Sequence, residues 1–583
     1  MYSRYYQSEL TYLRDMGARF GRVNPAIAGL LAEQGSDPDV ERLLEGFAFL
    51  AARIRERVDD CVPEVVHALM EIVAPHYLRT VPAASIVEFF PQTSALRGRH
   101  TIPRGAKLGA TPVRGCSCLF RTTSDVDLLP LSIDGISLDK SSINNSVLRL
   151  ECSCSEKSLG AVFNPKGIRF FLGSEYATAA MLLLWFLRYC TQIQVRPLGP
   201  GLNAPIALPP NLLAPAGFSD DAALVPWPAF SPPSFRILEE YFAQPAKFLF
   251  VDLLGLNAAL PAAREHFELA FFFERPPELP TQITTSAMRL HCTPVVNLFG
   301  ATANPVRRSA IEHEHLLQVA DIDPEHADIY SVDSVVGARA GMSERVVYER
   351  FLSFSHAAGA KGSPFYTLRP SLSALDGALD TYFSIVTPRD DEPVVVEESL
   401  SIDLTCTNRL VPNDLRAGSI CQAVAGSPTV AQFKNITEVT RPTRPPLGSE
   451  LYWRLLAHMG LNHTALSHAN SLRALLQLYN LQGLSDQAVG RANSLRAEAI
   501  SGVTSSPVQR IVGGVPLRGV RTTVEVDEDK FAGAGDAFLF GQVLDALFAD
   551  HVTLNAFNEL GMKLVPSQRE IVWTPRAGTK PIV

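Results

Sequence analysis

The sequence predicts a multidomain α+β protein, with a helical N-terminal region, β-rich wing-like domains after it and a mixed α/β C-terminal part. Three observations lead there. The 583 residues exceed the size at which a single core keeps growing, so two to four domains are expected. The composition, 46% hydrophobic and 19% charged, belongs to a chain with ample core material and argues against extensive disorder. The patterning also changes near Pro82, from apolar residues at helical spacing to short apolar runs separated by Gly, Pro, Asn or Ser.

Residues 1 to about 32 read as helix, with Tyr6, Leu10, Leu13 and Phe20 suggesting one apolar side and Pro25 marking a break. The most strongly patterned stretch follows, Asp37 to Pro82, and it predicts two amphipathic helices in tandem. Asp37 is a good N-cap, Pro38 suits the first helical position, and Asp39 and Glu41 set negative charge against the unpaired N–H groups of the first turn. Leu43, Phe47, Leu50, Ile54 and Val58 recur every three or four residues, so one stripe must be buried. Asp59 and Asp60 offer a second cap, and Val62, Val65, Val66, Leu69, Met70 and Val73 make the next apolar face before Pro75. Two readings fit this pair: a hairpin buried in its own domain, or helices that pack onto a partner.

After Pro82, Ser85 to Phe90 has strand composition and opens a mostly β region. Ala179 to Leu187 (AAMLLLWFL) is too short to span a bilayer and reads as part of a buried helix from Tyr176 to Leu187. Asn203 to Pro233 reads as an irregular connection. Phe235 to Gly255 gives a helix broken at Pro245 and then an apolar strand, with Tyr241, Phe242, Phe248 and Phe250 assigned to the core. Arg441 to Pro446 (RPTRPP) is the clearest linker, because its prolines disfavour helix and central strand alike. Beyond it come helices through LYWRLLAHMGL and Leu472 to Tyr479, a strand at Gly519 to Val526 and a helix at Phe538 to Phe548. The expected division is 1–82, 83–290, 291–440 and 441–583.

Composition narrows the chemistry. With 52 basic and 60 acidic residues the formal charge is −8 and no basic block is visible, so nucleic acid is not an expected partner. The N-terminus lacks the apolar core of a signal peptide, and nine cysteines make no dense disulfide scaffold, which points to a reducing cytosol. Direct membrane insertion is not expected. Cys116 and Cys118, with Cys152 and Cys154, could gather thiolates from two paired strands, but the i, i+2 spacing departs from that of common zinc sites. His313, Glu314 and His315 lack the spacing of a helical zinc protease. Gly533 to Asp536 does not complete a dinucleotide fingerprint, nor His356 to Ser363 a P-loop. No catalytic, cofactor-binding or metal-binding residue is expected.

Several stretches together resemble one family. YYQSELTYLRDMGARF from Tyr5, DPDVERLLEGFAFLAARI and PEVVHALMEIVAPHYLRTVPAASIVEF are similar to TssF, a baseplate subunit of the bacterial type VI secretion system. The likeness continues through IPRGAKLGATPVRGCSCLFRTTSDVDLLPL, FRILEEYFAQPAKFLFVDLLG, CTPVVNLF, YSVDSV, LTCTNRLVPNDL and LNAFNEL. The resemblance implies a structural subunit, not an enzyme. It further implies two copies joined to one TssG-like subunit, contacts with a TssK-like adaptor and a TssE-like sheath initiator, and a place around the spike and tube hub in the cytoplasm, beneath the envelope. On this reading Leu43, Phe47, Leu50 and Ile54 help form a helical bundle shared between copies of the chain and TssG. Tyr5, Tyr6 and Tyr12 lie either at a contact or against the chain's own helices. Two alternatives stay open: a wedge protein of another contractile, phage-tail-like machine, and a cytosolic hydrolase with dispersed catalytic residues.

Overall fold

The computed structural model describes the chain apart from residues 1–5, 8, 14–15, 17–37, 92–95, 97, 143–144, 156–166, 174, 199–203, 229–230, 257–264, 309–313, 340–344, 352–363, 374–377, 387–397, 448, 460–465, 513–514 and 579–583. The chain forms two compact units. One comprises residues 1–73 with 448–454, and the other residues 74–447 with 455–583.

In the first unit, residues 6, 7, 9–13 and 16 are helical. The helix Pro38–Val73 follows, 36 residues in one piece and about 54 Å long at 1.5 Å per residue. The tandem pair expected from Asp59 and Asp60 is therefore a single helix. A cap starts a new helix only where the chain leaves helical dihedrals. No glycine stands between Val58 and Pro63 to allow such a turn, and Arg55, Glu56, Arg57 and Glu64 all favour continuation. The helix passes through Pro63 at the cost of one missing N–H and stops at Val73, one residue before the 3₁₀ turn Pro75–Leu78. The Asp37 cap lies outside the described residues.

The second unit is mostly β. An antiparallel six-stranded sheet runs in the order Ile420–Gln422, Lys107–Ala110, Leu119–Thr122, Cys292–Val296, Ala84–Pro91 and Ala431–Asn435. It is a sheet of distant segments: Val87 lies opposite Thr293 on one side and Asn435 on the other. Val87, Phe89, Leu108, Phe120, Val295 and Phe433 pack into one core along it. The predicted linker is drawn into the same unit. Thr443 lies between the prolines and exchanges both backbone hydrogen bonds with Val81, at 2.8 and 2.9 Å. Pro442, Thr443 and Pro445 are buried.

Residues 131–289 supply a five-stranded and a four-stranded sheet around the buried helix Tyr176–Leu184. Residues 299–407 supply two further sheets that share a core including Val335, Tyr366, Phe383, Leu400 and Leu404. As the sequence predicts, the helix Pro233–Ala243 breaks before Pro245 and leads to the strand Phe250–Leu253. Tyr241, Phe242, Phe248 and Phe250 are all buried.

The C-terminal part holds a long hairpin, Ile500–Val512 with Val515–Asp527. The helix Ala534–Asp550 then crosses to the strand Ala556–Val565, which pairs parallel with the hairpin's second strand. That helix is buried from Gly535 to Ala549. Gly535 permits its approach to the helix Tyr176–Leu184, since a Cβ there would stand 2.3 Å from the Ala180 carbonyl carbon. One residue on, the Asp536 carboxylate accepts from Tyr176 Oη at 2.7 Å, Arg496 Nε at 3.2 Å and the Ala532 N–H at 3.1 Å. The Gly533 to Asp536 stretch thus serves helix packing and a buried polar network.

Candidate subunit interface

The long helix of the first unit presents its apolar residues in an unusual way. At about 100° per residue, positions 43, 47, 50 and 54 fall along one side, while 48 and 52 fall on the opposite side. A helix on a globular core normally turns its large apolar side chains inward. Here Ala48 and Ala52 are fully buried, whereas Leu43, Phe47 and Leu50 are 74%, 60% and 58% exposed. Leu43, Phe47 and Leu50, three members of the stripe expected to be buried, are thus not buried by this chain. Phe49, Leu69 and Ile72 on the same helix are exposed as well, and Met70 is buried. Burying a Leu or Phe side chain is worth about 1.5–3 kcal/mol, so a surface that covers this stripe gains substantially. Ile54 continues the spacing within the same helix.

The first unit also takes in residues the sequence did not mark. Residues 448–454 join the first unit, and His67 of the long helix meets Tyr452 edge to face at 5.1 Å. Tyr452 is fully buried, while its neighbour Trp453 is 52% exposed. The signal available in sequence was the Tyr452–Trp453 pair, two aromatics that a single amphipathic helix cannot turn to the same side. Of the three tyrosines near the N-terminus, Tyr6 is half-buried, Tyr12 is exposed, and Tyr5 lies outside the described residues.

The other candidates resolve into structural roles where they are described. Cys118 lies in the core of the six-stranded sheet, and Cys152 and Cys154 are buried on the strand Asn145–Cys154 of the five-stranded sheet. Burial pushes the Cys118 and Cys152 thiols up to about 12. Among the described residues no three His, Cys, Asp or Glu side chains gather to hold a metal ion. Glu314 takes both Nε and Nη2 of Arg369 at 2.8 Å, reaching over the intervening strand Leu379–Val386. His313 and the stretch His356 to Ser363 lie outside the described residues. No helix among the described residues is long and apolar enough to cross a membrane.

An exposed apolar stripe on a long helix, with the chain's chemistry spent on packing, describes a subunit built to be covered by others. The model of the family "Type VI secretion system, TssF" matches residues 2–580. The chain belongs to the TssF family. It is therefore a type VI secretion system baseplate component. The type VI secretion system component TssF1 of Pseudomonas aeruginosa is 29% identical, over 99% of this chain and 98% of its own length. A chain in the cryo-electron microscopy structure of the TssK-TssF-TssG baseplate subcomplex matches with a TM-score of 0.77 at 30% identity, covering 93% of this chain and 99% of its own. A chain of the type VI secretion system baseplate complex matches over the full length of both, with a TM-score of 0.67 at 27% identity. The TssF family likeness thus spans both units.

Proposed function

We propose that the chain is a wedge scaffold of the baseplate. Two copies join one TssG-like subunit, and this wedge contacts a TssK-like adaptor and a TssE-like sheath initiator. The assembled wedges surround the spike and tube in the cytoplasm at the inner face of the envelope and start the contractile sheath. The role is structural: the chain supplies surfaces that hold a ready state and repack on firing, not a reaction.

The observation that carries this reading is the solvent-facing stripe Leu43, Phe47 and Leu50 in a TssF-family chain. The relative found in a TssK-TssF-TssG subcomplex supports the identity of two partners. In this proposal Leu43, Phe47, Leu50 and Ile54 face the TssG-like subunit and the second copy, and Tyr5, Tyr6 and Tyr12 add to that contact. Native mass spectrometry of this chain co-expressed with the TssG-like protein of its gene cluster tests the reading. A stable complex with two copies per partner is expected. A monodisperse chain that ignores the partner would overturn it. Removing the first 12 residues without effect on that complex would return the tyrosines to the chain's own packing.

A further inference from the structure

The second unit contains a cleft of about 360 Å³ that the scaffold role above does not use. The antiparallel strand pair His100–Ile102 and Val126–Leu128 lines it, together with the strands Ile168–Leu172 and Phe250–Leu253 and the turn at His291. Its walls carry both signs of charge, held in fixed positions. Arg99 Nη2 pairs with Asp127 at 2.8 Å, and Asp127 also accepts from Thr101 Oγ1 at 2.7 Å. Arg169 grips Asp252 through Nε and Nη2 at 2.7 and 2.8 Å. Arg104 is anchored differently, by the neutral carbonyls of Asp221 and Ala223 at 3.2 and 3.1 Å. Its positive charge is thus oriented by backbone groups rather than by a carboxylate partner.

One buried donor in the cleft stands open, and a second donor, on a ring, lines it. Arg99 Nε is buried without a hydrogen-bond partner. His291 is more than nine-tenths buried, and its Nε2 accepts the Leu129 N–H at 3.1 Å. That bond fixes the proton of the neutral ring on Nδ1 and leaves the Nδ1–H as the ring's remaining donor in the cleft it lines. A buried donor such as Arg99 Nε is costly unless a ligand or water takes it. At the rim, Asp125, whose Oδ1 accepts the Arg104 N–H at 2.8 Å, and Asp221, whose Oδ1 accepts from Ser219 Oγ, add fixed negative charge.

We propose that this cleft docks a short extended peptide segment of a neighbouring baseplate subunit, one that carries an acidic residue close to a basic one. The acidic group meets Arg99, Arg104 and the His291 Nδ1–H, and the basic group meets Asp125 and Asp221. Mixed sign decides against a polyanion. Arg99 and Arg169 already have carboxylate partners, and the four aspartates lining the cleft outnumber its three arginines. Opposed charges set across a contact serve specificity and orientation more than raw affinity. The inference rests on the baseplate reading.

The test places the photo-crosslinker p-benzoylphenylalanine at Thr101, an exposed residue lining the cleft, in the full chain assembled with its co-expressed partners. Crosslinked peptides are identified by mass spectrometry. The expected result is a crosslink to one continuous partner segment with Asp or Glu near Lys or Arg. Its yield should fall at least tenfold in Arg104→Glu and in Asp125→Lys, while native mass spectrometry shows that both variants still form the complex. A complex that forms without an intermolecular crosslink, or a yield indifferent to both substitutions, overturns the proposal. Thermal stabilisation of the isolated chain by inorganic phosphate, abolished by Arg104→Glu, would mark a small-anion site and overturn it too. If no complex forms, the baseplate reading falls and takes the cleft proposal with it.

Discussion

Arg496 donates to Asp536 at 3.2 Å, and its guanidinium also stands 5.6 Å from the Tyr176 ring centre and 5.7 Å from that of Tyr241. The ion pair is almost wholly out of water, and it ties the helix Gln487–Glu498 to Ala534–Asp550. Removing one partner of such a pair leaves the other buried and uncompensated, which costs about 3–5 kcal/mol. Asp536→Asn should therefore weaken the C-terminal part while the rest stays folded. Hydrogen exchange of the amides in Ala534–Asp550 should accelerate by about a hundredfold or more. Unchanged protection would show that the pair is not a fastening point.

Gly535 tests the same helix from its packing side. A methyl group there meets the Ala180 main chain, which cannot swing away as a flexible side chain would. Gly535→Ala raises intrinsic helix propensity by about 1 kcal/mol, yet overpacking a tight contact costs about 1–3 kcal/mol. The contact should win. A lower melting temperature than the parent's is expected, and a higher one would mean that the two helices separate freely.

Two buried groups in the second unit give stability opposite dependences on pH. Burial first, and then the neighbouring Glu240 carboxylate, raises Glu239 to about 8, against the pull of Arg79. A folded-state value above the unfolded one means that stability is full below about 4.5 and is lost as pH rises to about 8. His76 runs the other way. Burial, helped by Arg79, lowers it to about 3, so the folded state favours the neutral ring and stability falls as pH drops from about 6.5 toward 3. Glu239→Gln should flatten the melting temperature between pH 5 and 8 and leave the acid side steep. A profile that keeps its slope above pH 5 in this variant would assign that slope to other groups.

The sequence revealed elements wherever the signal was local. Ser85 to Phe90 reads as strand from its composition, the helix before Pro245 ends where proline ends it, and Tyr241, Phe242, Phe248 and Phe250 read as core from their size. Partnership between distant segments left no such trace. Tyr176 and Asp536 are 360 residues apart, and the lone acid in FAGAGDAFLF looks like a turn residue until its partners are known. Nothing in RPTRPP announces that Thr443 pairs with Val81. The return of residues 448–454 to the N-terminal unit is equally silent, apart from the adjacent aromatics Tyr452 and Trp453. On the long helix the spacing located the stripe correctly but not its direction. Periodicity measures that apolar residues share a side, and it does not say whether that side meets this chain or another.

That direction yields the sharpest contrast between two neighbouring positions. Phe47 and Leu50 are exposed, and substitutions at exposed positions change stability by about 0.5 kcal/mol or less. Phe47→Glu with Leu50→Glu should therefore leave the isolated chain's melting temperature and circular dichroism nearly unchanged while abolishing its complex with the TssG-like subunit. Ala52, on the opposite side of the same helix, is fully buried. Ala52→Leu adds bulk where none fits and should cost about 1–3 kcal/mol, lowering the melting temperature of the chain by itself. Melting curves and native mass spectra of the two variants, side by side, separate a face kept for a partner from a face used by the fold. An assembled complex in the Glu double variant would remove the stripe from the interface, because two buried carboxylates without partners are not tolerated in an apolar contact.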